Sequence, residues 1–293
     1  MSFHKHLLIF VLTLVATGTI RCNTQEFPHK DPKLQNRQTR LDEVIKQIAQ
    51  IKQHGLTVAI AALKHKDHRV RRAAVLKLGA SSKKLDNIDS KLIAMLKDKH
   101  PRVKTAAARA LAMRKNPDAI DPLVCAVADQ NRKVRLWAWL SLMEFDLNDV
   151  FPVLIFHLSK KAPTNMLGYK DEIGNKVYLR IELNRRIPTL KTKAVQPMIE
   201  SLDHDDEWVR GSAILILRDI GPAAKDALPA LALFVDKKNQ HHAAWAAEAL
   251  GKIGDLDPAV MPALKNASEN KNKKISGAAK KAIREIEKRE KKK

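Results

Sequence analysis

The sequence predicts an all-α protein whose helix hairpins stack along one axis as an α-solenoid. Three observations support this fold class. A pattern of valine, a small residue and leucine, spaced four residues apart, recurs along the chain. Only ten of the 293 residues are glycine, whereas Ala, Leu and Lys, which favour helices, are abundant. A further apolar segment precedes most copies of the pattern, so the predicted unit is a helix, a turn and a helix.

The recurring pattern is clearest in residues 67–79, DHRVRRAAVLKLG. With its valine as position zero, position +4 is small and position +8 is usually apolar. The zero positions are Val70, Val103, Val134, Val177, Val209, His242 and Ile275. The steps between them are 33, 31, 43, 32, 33 and 33 residues. The copy at Val177 is degenerate, because Ile181 stands at +4 and Arg185 at +8.

Prolines mark the starts of several upstream helices, where a missing N–H costs nothing: Pro122, Pro152, Pro197, Pro229 and Pro262. Neither helix of a hairpin can bury its apolar stripe alone, so the units must stack. The small residue at +4 is expected where neighbouring repeats cross closely. We also expect the arginine at +1 to bind the aspartate of the turn, which pairs Arg71 with Asp67, Arg135 with Asp129 and Arg210 with Asp205.

Residues 67–79 resemble the HEAT-repeat family, in particular its short bacterial form named after phycobilisome lyases, with the pattern D-x-x-x-V-R-x-x-A-x-x-x-L-G. The resemblance covers about residues 41–288. It implies a right-handed α-solenoid of about seven helix hairpins that works as a binding scaffold, and it implies no chemistry by itself. Two departures are His241-His242 in place of Val-Arg in the sixth unit, and a fourth unit about ten residues longer than the others.

The first 21 residues differ from the rest of the chain. A short basic start precedes LLIFVLTLVATGTI, which is 14 residues long and carries no charge. This pattern is typical of a secretory signal and is short for a transmembrane helix. We therefore expect export to the periplasm or the extracellular space, with a retained N-terminal anchor or a buried helix as alternatives. Arg21 before Cys22 does not fit the small residue that precedes lipid-modified cysteines, and residues 22–40 are predicted to be a linker.

The charge of the chain is strongly positive, with 54 Lys and Arg against 32 Asp and Glu, a formal net charge of +22. Such a field attracts anions. In a solenoid the basic turns of the first three units align, and we predict an anion-binding ridge of Lys64, Lys66, Arg69, Lys97, Lys99, Arg102, Arg132 and Lys133. The alternative is a solvated edge. Residues 280–293 are predicted to form a basic C-terminal cap or tail.

Positions +2, +5, +6 and +9 of the second helices point away from positions 0, +4 and +8, at about 100° per residue. This face is apolar in mid-array, which usually marks an interaction site. The predicted partner-binding groove consists of Leu136, Trp139, Leu140, Met143, Arg109, Ile214, Leu215 and Arg218, with Trp139 as its aromatic anchor. Alternatively, residues 159–176 fold over the groove.

Motifs of catalysis are absent from the sequence: there is no G-x-S-x-G, no phosphate-binding glycine loop and no H-E-x-x-H. Cys22 and Cys125 form neither a disulfide framework nor a zinc-ligand pattern, and Cys125 is predicted to be a core thiol. The sequence therefore predicts a non-catalytic scaffold without metal or cofactor, which binds a protein partner or an anionic surface polymer.

Two alternative functions, a nucleic-acid-binding protein and an enzyme, remain open. HEAT-type solenoids include alkylpurine DNA glycosylases, which bind duplex DNA on a basic face. In that case the side chains that would contact the DNA are Arg72, Arg109, Arg186, Arg218 and Trp139. The predicted export argues against a DNA partner. The other alternative is an enzyme similar to chromophore lyases, although no catalytic residue of either family can be placed on this chain.

Overall fold

The computed structural model describes residues 32–81, 87–162, 167–171, 174–235, 239–254, 258 and 260–291. The predicted signal or anchor, residues 1–21, lies outside the described residues, as do residues 22–31 of the predicted linker. The chain divides into two compact units, Met1–Gln47 and Ile48–Lys293.

Residues 32–47 form the described part of the first unit, and all of them belong to helix α1, Pro32–Gln53. The last nine residues of the predicted linker, 32–40, are therefore helical. Pro32 is the first residue of the helix, where a missing N–H breaks no helical hydrogen bond. One helical turn is supported by the Gln38 amide, which donates to Asp42 Oδ1 over 2.9 Å.

Seven helix hairpins follow one another in the described part of the second unit, and they confirm the all-α solenoid. Their first helices are α2 Leu56–Ala62, α4 Ile88–Met95, α6 Ile120–Ala126, α8 Leu147–Leu158, α10 Val195–Glu200, α12 Leu228–Phe234 and α14 Val260–Ser268. Their second helices are α3 His68–Gly79, α5 Pro101–Arg114, α7 Arg132–Leu142, α9 Leu179–Arg186, α11 Glu207–Ile220, α13 Gln240–Ile253 and α15 Lys273–Glu290.

Shorter elements complete the described part of the fold. 3-10 segments cover Pro117–Ala119, Ile187–Ala194, Ser201–Asp203 and Gly221–Ala227, and the second and fourth of them are kinked at Lys191 and Ala224. Within the fourth repeat, β1 Gly168–Lys170 and β2 Lys176–Tyr178 pair antiparallel, and Tyr169 lies opposite Val177. This small β-hairpin lies between α8 and α9 and accounts for the extra length of the fourth repeat.

The core lies where the sequence predicts it. The small residues at +4 are fully buried: Ala74, Ala107, Ala138, Ala213, Ala246 and Ala279. The leucines at +8 are fully buried as well: Leu78, Leu111, Leu142, Leu217 and Leu250. Each second helix packs on the first helix of its own hairpin, and α3 contacts α5, α5 contacts α7, α11 contacts α13 and α13 contacts α15. A continuous apolar layer therefore joins repeat to repeat.

Successive second helices touch where position +9 of one repeat meets position +7 of the next. A Cβ added to Gly79 would lie 2.4 Å from Ala110 Cβ, and one added to Gly251 would lie 2.8 Å from Ala282 Cβ. Atoms that are not bonded do not approach so closely, so these positions need glycine on one side and alanine on the other. The glycine at +9 thus permits backbone contact between neighbouring repeats.

A polar side chain three residues before position zero starts most of the second helices. Its Oδ1 or Nδ1 atom accepts a hydrogen bond from the backbone N–H two residues further on, at Asp67, His100, Asn131, Asp206, Asn239 and Asn272. Such an N-cap satisfies a donor that the helix itself leaves unpaired. Asp67 and Asp206 are therefore helix caps, and the other four repeats use histidine or asparagine at the same position.

The arginine at +1 binds main-chain oxygens of its own turn. Arg71 Nη1 donates to His65 O and Lys66 O, at 2.8 and 3.0 Å. Arg135 and Arg210 repeat this arrangement with the carbonyl groups of residues 129–130 and 204–205. The predicted pairs with turn carboxylates within one repeat are therefore wrong. Asp67 caps its helix, Asp129 pairs with Lys104 of the preceding repeat, and Arg210 binds the backbone oxygen of Asp205.

Ion pairs at +1 instead connect one repeat to the next. Arg71 Nε lies 2.7 Å from Asp98 Oδ2 in the second repeat, and both side chains are 6% exposed. Lys104 Nζ lies 2.6 Å from Asp129 Oδ2 in the third repeat. The general expectation that charged hydrogen bonds tie neighbouring hairpins is confirmed for these two junctions.

The fourth repeat has a different register from the one predicted. Val177 lies in strand β2, and the residues of the following helix that are buried at positions 0 and +4 are Leu179 and Leu183. Arg185, predicted at +8, is exposed, and the buried residue there is Ile187. The register is two residues off because strand pairing takes Val177 into the β-hairpin and the helix begins after it.

The contact between repeats can be tested at its glycine. We expect Gly79→Ala to lower the free energy of unfolding by about 1–3 kcal/mol, because the new methyl group has to displace the Ala110 backbone. Gly277→Ala is the matched control, since a Cβ at this helical glycine meets nothing within 4 Å. It should stabilise the protein by about 0.5–1 kcal/mol. Urea unfolding that shows equal effects for the two variants would contradict the contact.

The buried ion pair can be tested in the same way. Arg71→Ala leaves Asp98 buried without its partner, and we expect a loss of about 3–5 kcal/mol. Arg69→Ala removes the more exposed pair with Asp67 and should lower the stability far less. If thermal unfolding shows similar losses of stability for both variants, the Arg71–Asp98 pair does not hold the repeats together.

Candidate anion-binding site

A cleft of about 750 Å³ runs along the second helices of the first three repeats. Its lining consists of Arg72, Leu76, His100, Pro101, Arg102, Thr105, Ala106, Arg109, Asn131, Arg132 and Lys133. Five of these side chains are cations, and none of the lining side chains is a carboxylate. Because the repeats are 31 to 33 residues apart, equivalent positions face the same space, as Arg102 and Lys133 do at position −1. We refer to this feature as the basic cleft.

The basic cleft combines residues that the sequence assigns to separate sites. All eight cations of the predicted ridge are exposed. Three of them line the cleft: Arg102, Arg132 and Lys133. The others are not among its lining residues: Lys64, Lys66, Arg69, Lys97 and Lys99. Arg109 of the predicted groove and Arg72 of the DNA-binding alternative complete the set of cations.

The turn carboxylates next to the cleft are bound to other cations. Asp67 pairs with Arg69, Asp98 with Arg71, and Asp129 with Lys104. The five cations of the basic cleft form no ion pair with any carboxylate of the described residues. Their charge is therefore available to an anionic ligand.

The pKa values of Asp67 and Asp98 are lowered, so both groups stay negatively charged beside their arginine partners. Hydrogen bonds from the Arg69 side chain are the main reason that the pKa of Asp67 is lowered to about 2. Burial acts to raise the pKa of Asp98, but hydrogen bonds from Arg71 and from the His100 backbone outweigh it, so that this pKa lies below its usual value. Both groups remain carboxylates at neutral pH and hold Arg69 and Arg71 outside the cleft.

Two stacked histidine rings border the basic cleft. The centroids of His68 and His100 are 3.5 Å apart, and the ring planes differ by 7°. His100 Nδ1 accepts the Arg102 N–H as a helix cap. Burial and the neighbouring His100 lower the pKa of His68, so this ring is neutral at pH 7 and becomes positive only in acid.

The predicted groove is wrong at Trp139 and Ile214, which are only 5% and 0% exposed. Position +5 faces the next repeat: Val75, Ala108 and Ala247 at this position are also buried. In α15, on which no further described repeat packs, the +5 residue Lys280 is exposed. A single amphipathic helix does not reveal this second buried face, because it arises only from stacking on both sides.

The other groove residues remain accessible to different degrees. Leu136 and Leu140 are exposed at +2 and +6, and Met143 is half-buried. Leu215 lines a separate pocket of about 350 Å³ between Trp208 and Trp245. The structure therefore does not gather the fifth-repeat residues of the predicted groove into the basic cleft.

Two arginines of the DNA-binding alternative already have acidic partners. Arg186 Nε lies 2.7 Å from Glu182 Oε1, and Arg218 pairs with Asp219 and Glu248 at 3.0 and 3.2 Å. Only Arg72 and Arg109 of the four line the basic cleft. Trp139, the fifth side chain predicted to contact the DNA, is buried.

The inserted β-hairpin is held by polar contacts on both sides. The Arg135 guanidinium lies 3.6 Å from the centroid of the Tyr169 ring, and Tyr169 Oη donates to Glu182 Oε2 over 2.9 Å. Gln130 Nε2 donates to Gly168 O over 3.2 Å. Residues 159–176 were the segment that could alternatively fold over the groove. The described part of this segment is therefore anchored to the third-repeat turn and to α9.

The fold and the site define a class: an α-solenoid of short helix hairpins with a basic cleft along its second helices. A family model described as HEAT repeats matches residues 88–164 and 190–284, more than half of the chain. The chain belongs to the HEAT-repeat family. No curated protein matches the sequence. In the described residues, no helix is long and apolar enough to cross a membrane.

Several solved structures are similar to this chain. Human deoxyhypusine hydroxylase in complex with glycerol is 16% identical, with 86% of this chain and 91% of that chain covered and a TM-score of 0.36. Importin beta is 16% identical over 80% of this chain and 35% of its own, with a TM-score of 0.42. The complex of CpcE and CpcF of phycocyanin lyase from Nostoc sp. PCC7120 is 21% identical, with coverages of 80% and 95% and a TM-score of 0.34. At TM-scores below 0.5 these similarities carry no inference about function.

The histidine pair predicts a pH dependence of anion binding. Because protonation of His68 adds positive charge beside the cleft, affinity for a polyanion should rise about two- to threefold as the pH falls below 6.5. His68→Gln should remove much of this change, whereas His54→Gln, at an exposed site in the first turn of the second unit, should keep it. Heparin binding measured across pH checks the prediction, which fails if the two variants behave alike.

Proposed function

We propose that this protein is a non-catalytic scaffold that binds an acidic segment of a partner protein in the basic cleft. The observation that carries this proposal is the set of five cleft cations without a carboxylate partner in the described part of the chain. In a cleft, such charges concentrate anions and strengthen charge-assisted hydrogen bonds.

The surface next to the cations favours a polypeptide over a nucleic acid. Leu76 lines the cleft among the cations, and the equivalent positions +2 and +6 of the third repeat are the exposed Leu136 and Leu140. An acidic segment with apolar side chains has groups for both kinds of surface. A phosphodiester backbone offers charge at every step but nothing to cover the leucines, so we place DNA or another surface polyanion second.

The proposal places the protein outside the cytoplasm, because residues 1–21 have the pattern of an export signal. N-terminal sequencing of the mature protein tests this part. A mature chain that begins at Met1 or Ser2 would contradict cleavage and favour a retained anchor or an internal protein.

The binding site can be tested by charge reversal at two matched sets of residues. Arg72→Glu, Arg109→Glu and Lys133→Glu together should weaken binding of a fluorescent peptide of alternating Glu and Leu at least about tenfold, because several charged contacts are lost. Lys64→Glu, Lys66→Glu and Lys99→Glu change the net charge equally outside the cleft lining and should retain most of the affinity.

Fluorescence anisotropy at two salt concentrations provides the measurement, and circular dichroism verifies that both triple variants are folded. An equal loss in both variants would mean that net charge, not the cleft, binds the peptide. Tighter binding of duplex DNA than of the peptide, lost only in the cleft variant, would favour the nucleic-acid alternative.

A further inference from the structure

A second group of reactive side chains lies away from the basic cleft, between the third and fourth repeats. Asp121 and Cys125 are one turn apart on α6, and His157 comes from α8. One carboxylate oxygen, the thiol sulfur and one ring nitrogen lie within 4.8 Å of one another. No spacing in the sequence suggests this group, because His157 is 36 residues after Asp121.

The three donor side chains differ in how far they are exposed to solvent. The His157 side chain is 2% exposed, and its Nε2 lies 2.8 Å from Asp121 Oδ1. The Asp121 side chain is 62% exposed, and Cys125 is half-buried. The packing therefore fixes the histidine ring, while the aspartate leaves an approach from solvent.

We propose that Asp121, Cys125 and His157 form a three-ligand Zn²⁺ site with its fourth position open to water. Thiolate, imidazole and carboxylate are the ligand types that Zn²⁺ takes in proteins, with bonds of about 2.3, 2.0–2.1 and 2.0–2.2 Å. Tetrahedral bonds of these lengths place donor atoms roughly 3.3–3.7 Å apart. A donor group within 4.8 Å reaches that spacing through small side-chain rotations.

Metal binding changes the protons at the site. Zn²⁺ takes a lone pair from His157 Nε2, so the ring proton moves to Nδ1. Cys125 gives up its thiol proton to solvent and binds as the thiolate, while Asp121 binds through a carboxylate oxygen. Zinc uptake therefore releases at least one proton, and affinity falls in acid.

Without metal, Cys125 is a protonated thiol. Burial, followed by the charge of Asp121, raises the pKa of the thiol to about 11. At neutral pH the thiol is therefore protonated and is not a nucleophile. The group would act as a ligand, joining α6 to α8 at the base of the inserted β-hairpin, and not as a catalytic cysteine.

Co²⁺ provides a direct test, because a thiolate ligand gives it a near-ultraviolet charge-transfer band and a tetrahedral site gives it strong visible bands. We expect both in the untagged full chain carrying Cys22→Ser, which leaves Cys125 as the only thiol. Adding Zn²⁺ should displace the Co²⁺. Zn²⁺ at about 100 times its Kd should also raise the melting temperature by roughly 5–10 °C.

Two variants distinguish the metal site from a simple Asp121–His157 hydrogen bond. Cys125→Ser should abolish the charge-transfer band, and Asp121→Asn should weaken Co²⁺ binding at least about tenfold while retaining a hydrogen-bonding group beside His157. Asp121 is exposed, so this variant should fold. His241→Gln, outside the cluster, should bind Co²⁺ like the parent.

Absence of the band at about 1 mM Co²⁺, or its persistence in Cys125→Ser, would overturn the proposal. The site is independent of the basic cleft, and Asp121→Asn should bind the acidic peptide as the parent does. Failure of metal binding would therefore leave the proposed scaffold function untouched, and failure of peptide binding would leave the metal site untouched.

Discussion

Direct contact between the second helices of successive repeats is the constraint on which the rest of this structure depends. At Gly79 and Gly251 the backbone of one repeat meets an alanine of the next, with no room for a side chain. This approach buries the alanines at +4 and closes position +5, because each helix is covered from both sides. The residues left accessible on these helices are mainly those at −1, +2 and +6. Six residues at these positions in the first three repeats line the basic cleft: Arg72, Leu76, Arg102, Thr105, Arg109 and Lys133.

The same stacking determines which charged side chains form ion pairs and which stay unpaired. Each turn carries an acidic group, and a cation of the preceding repeat reaches it at two junctions, Arg71 with Asp98 and Lys104 with Asp129. The carboxylates are thereby bound outside the cleft. A net charge of +22 is a property of the whole chain, but a binding site needs cations that have not already found a partner. The repeat geometry separates the cations that pair with carboxylates from the cations that line the cleft.

The fourth repeat interrupts the regular array. Its β-hairpin is anchored by Arg135, Tyr169 and Glu182, and α9 starts two residues later than the repeat pattern predicts. The basic cleft lies before this interruption, and the Trp208–Trp245 pocket lies after it. The cluster of Asp121, Cys125 and His157 lies between the third repeat and the first helix of the fourth. The irregular repeat thus divides surfaces of different chemistry.

The sequence alone determined the all-α class, the seven hairpins, the buried residues at +4 and most residues at 0 and +8, because these follow from local periodicity and from the step between repeats. It also placed exposed cations on the first three turns. Only the tertiary structure decided that Trp139 and Ile214 are buried, that Asp98 binds Arg71, and that Cys125 faces His157. Each of these depends on the distance between residues of different repeats, which periodicity along one helix does not contain. Stacking brings them together, and for that reason the residues of the candidate sites are set by the fold and not by any motif.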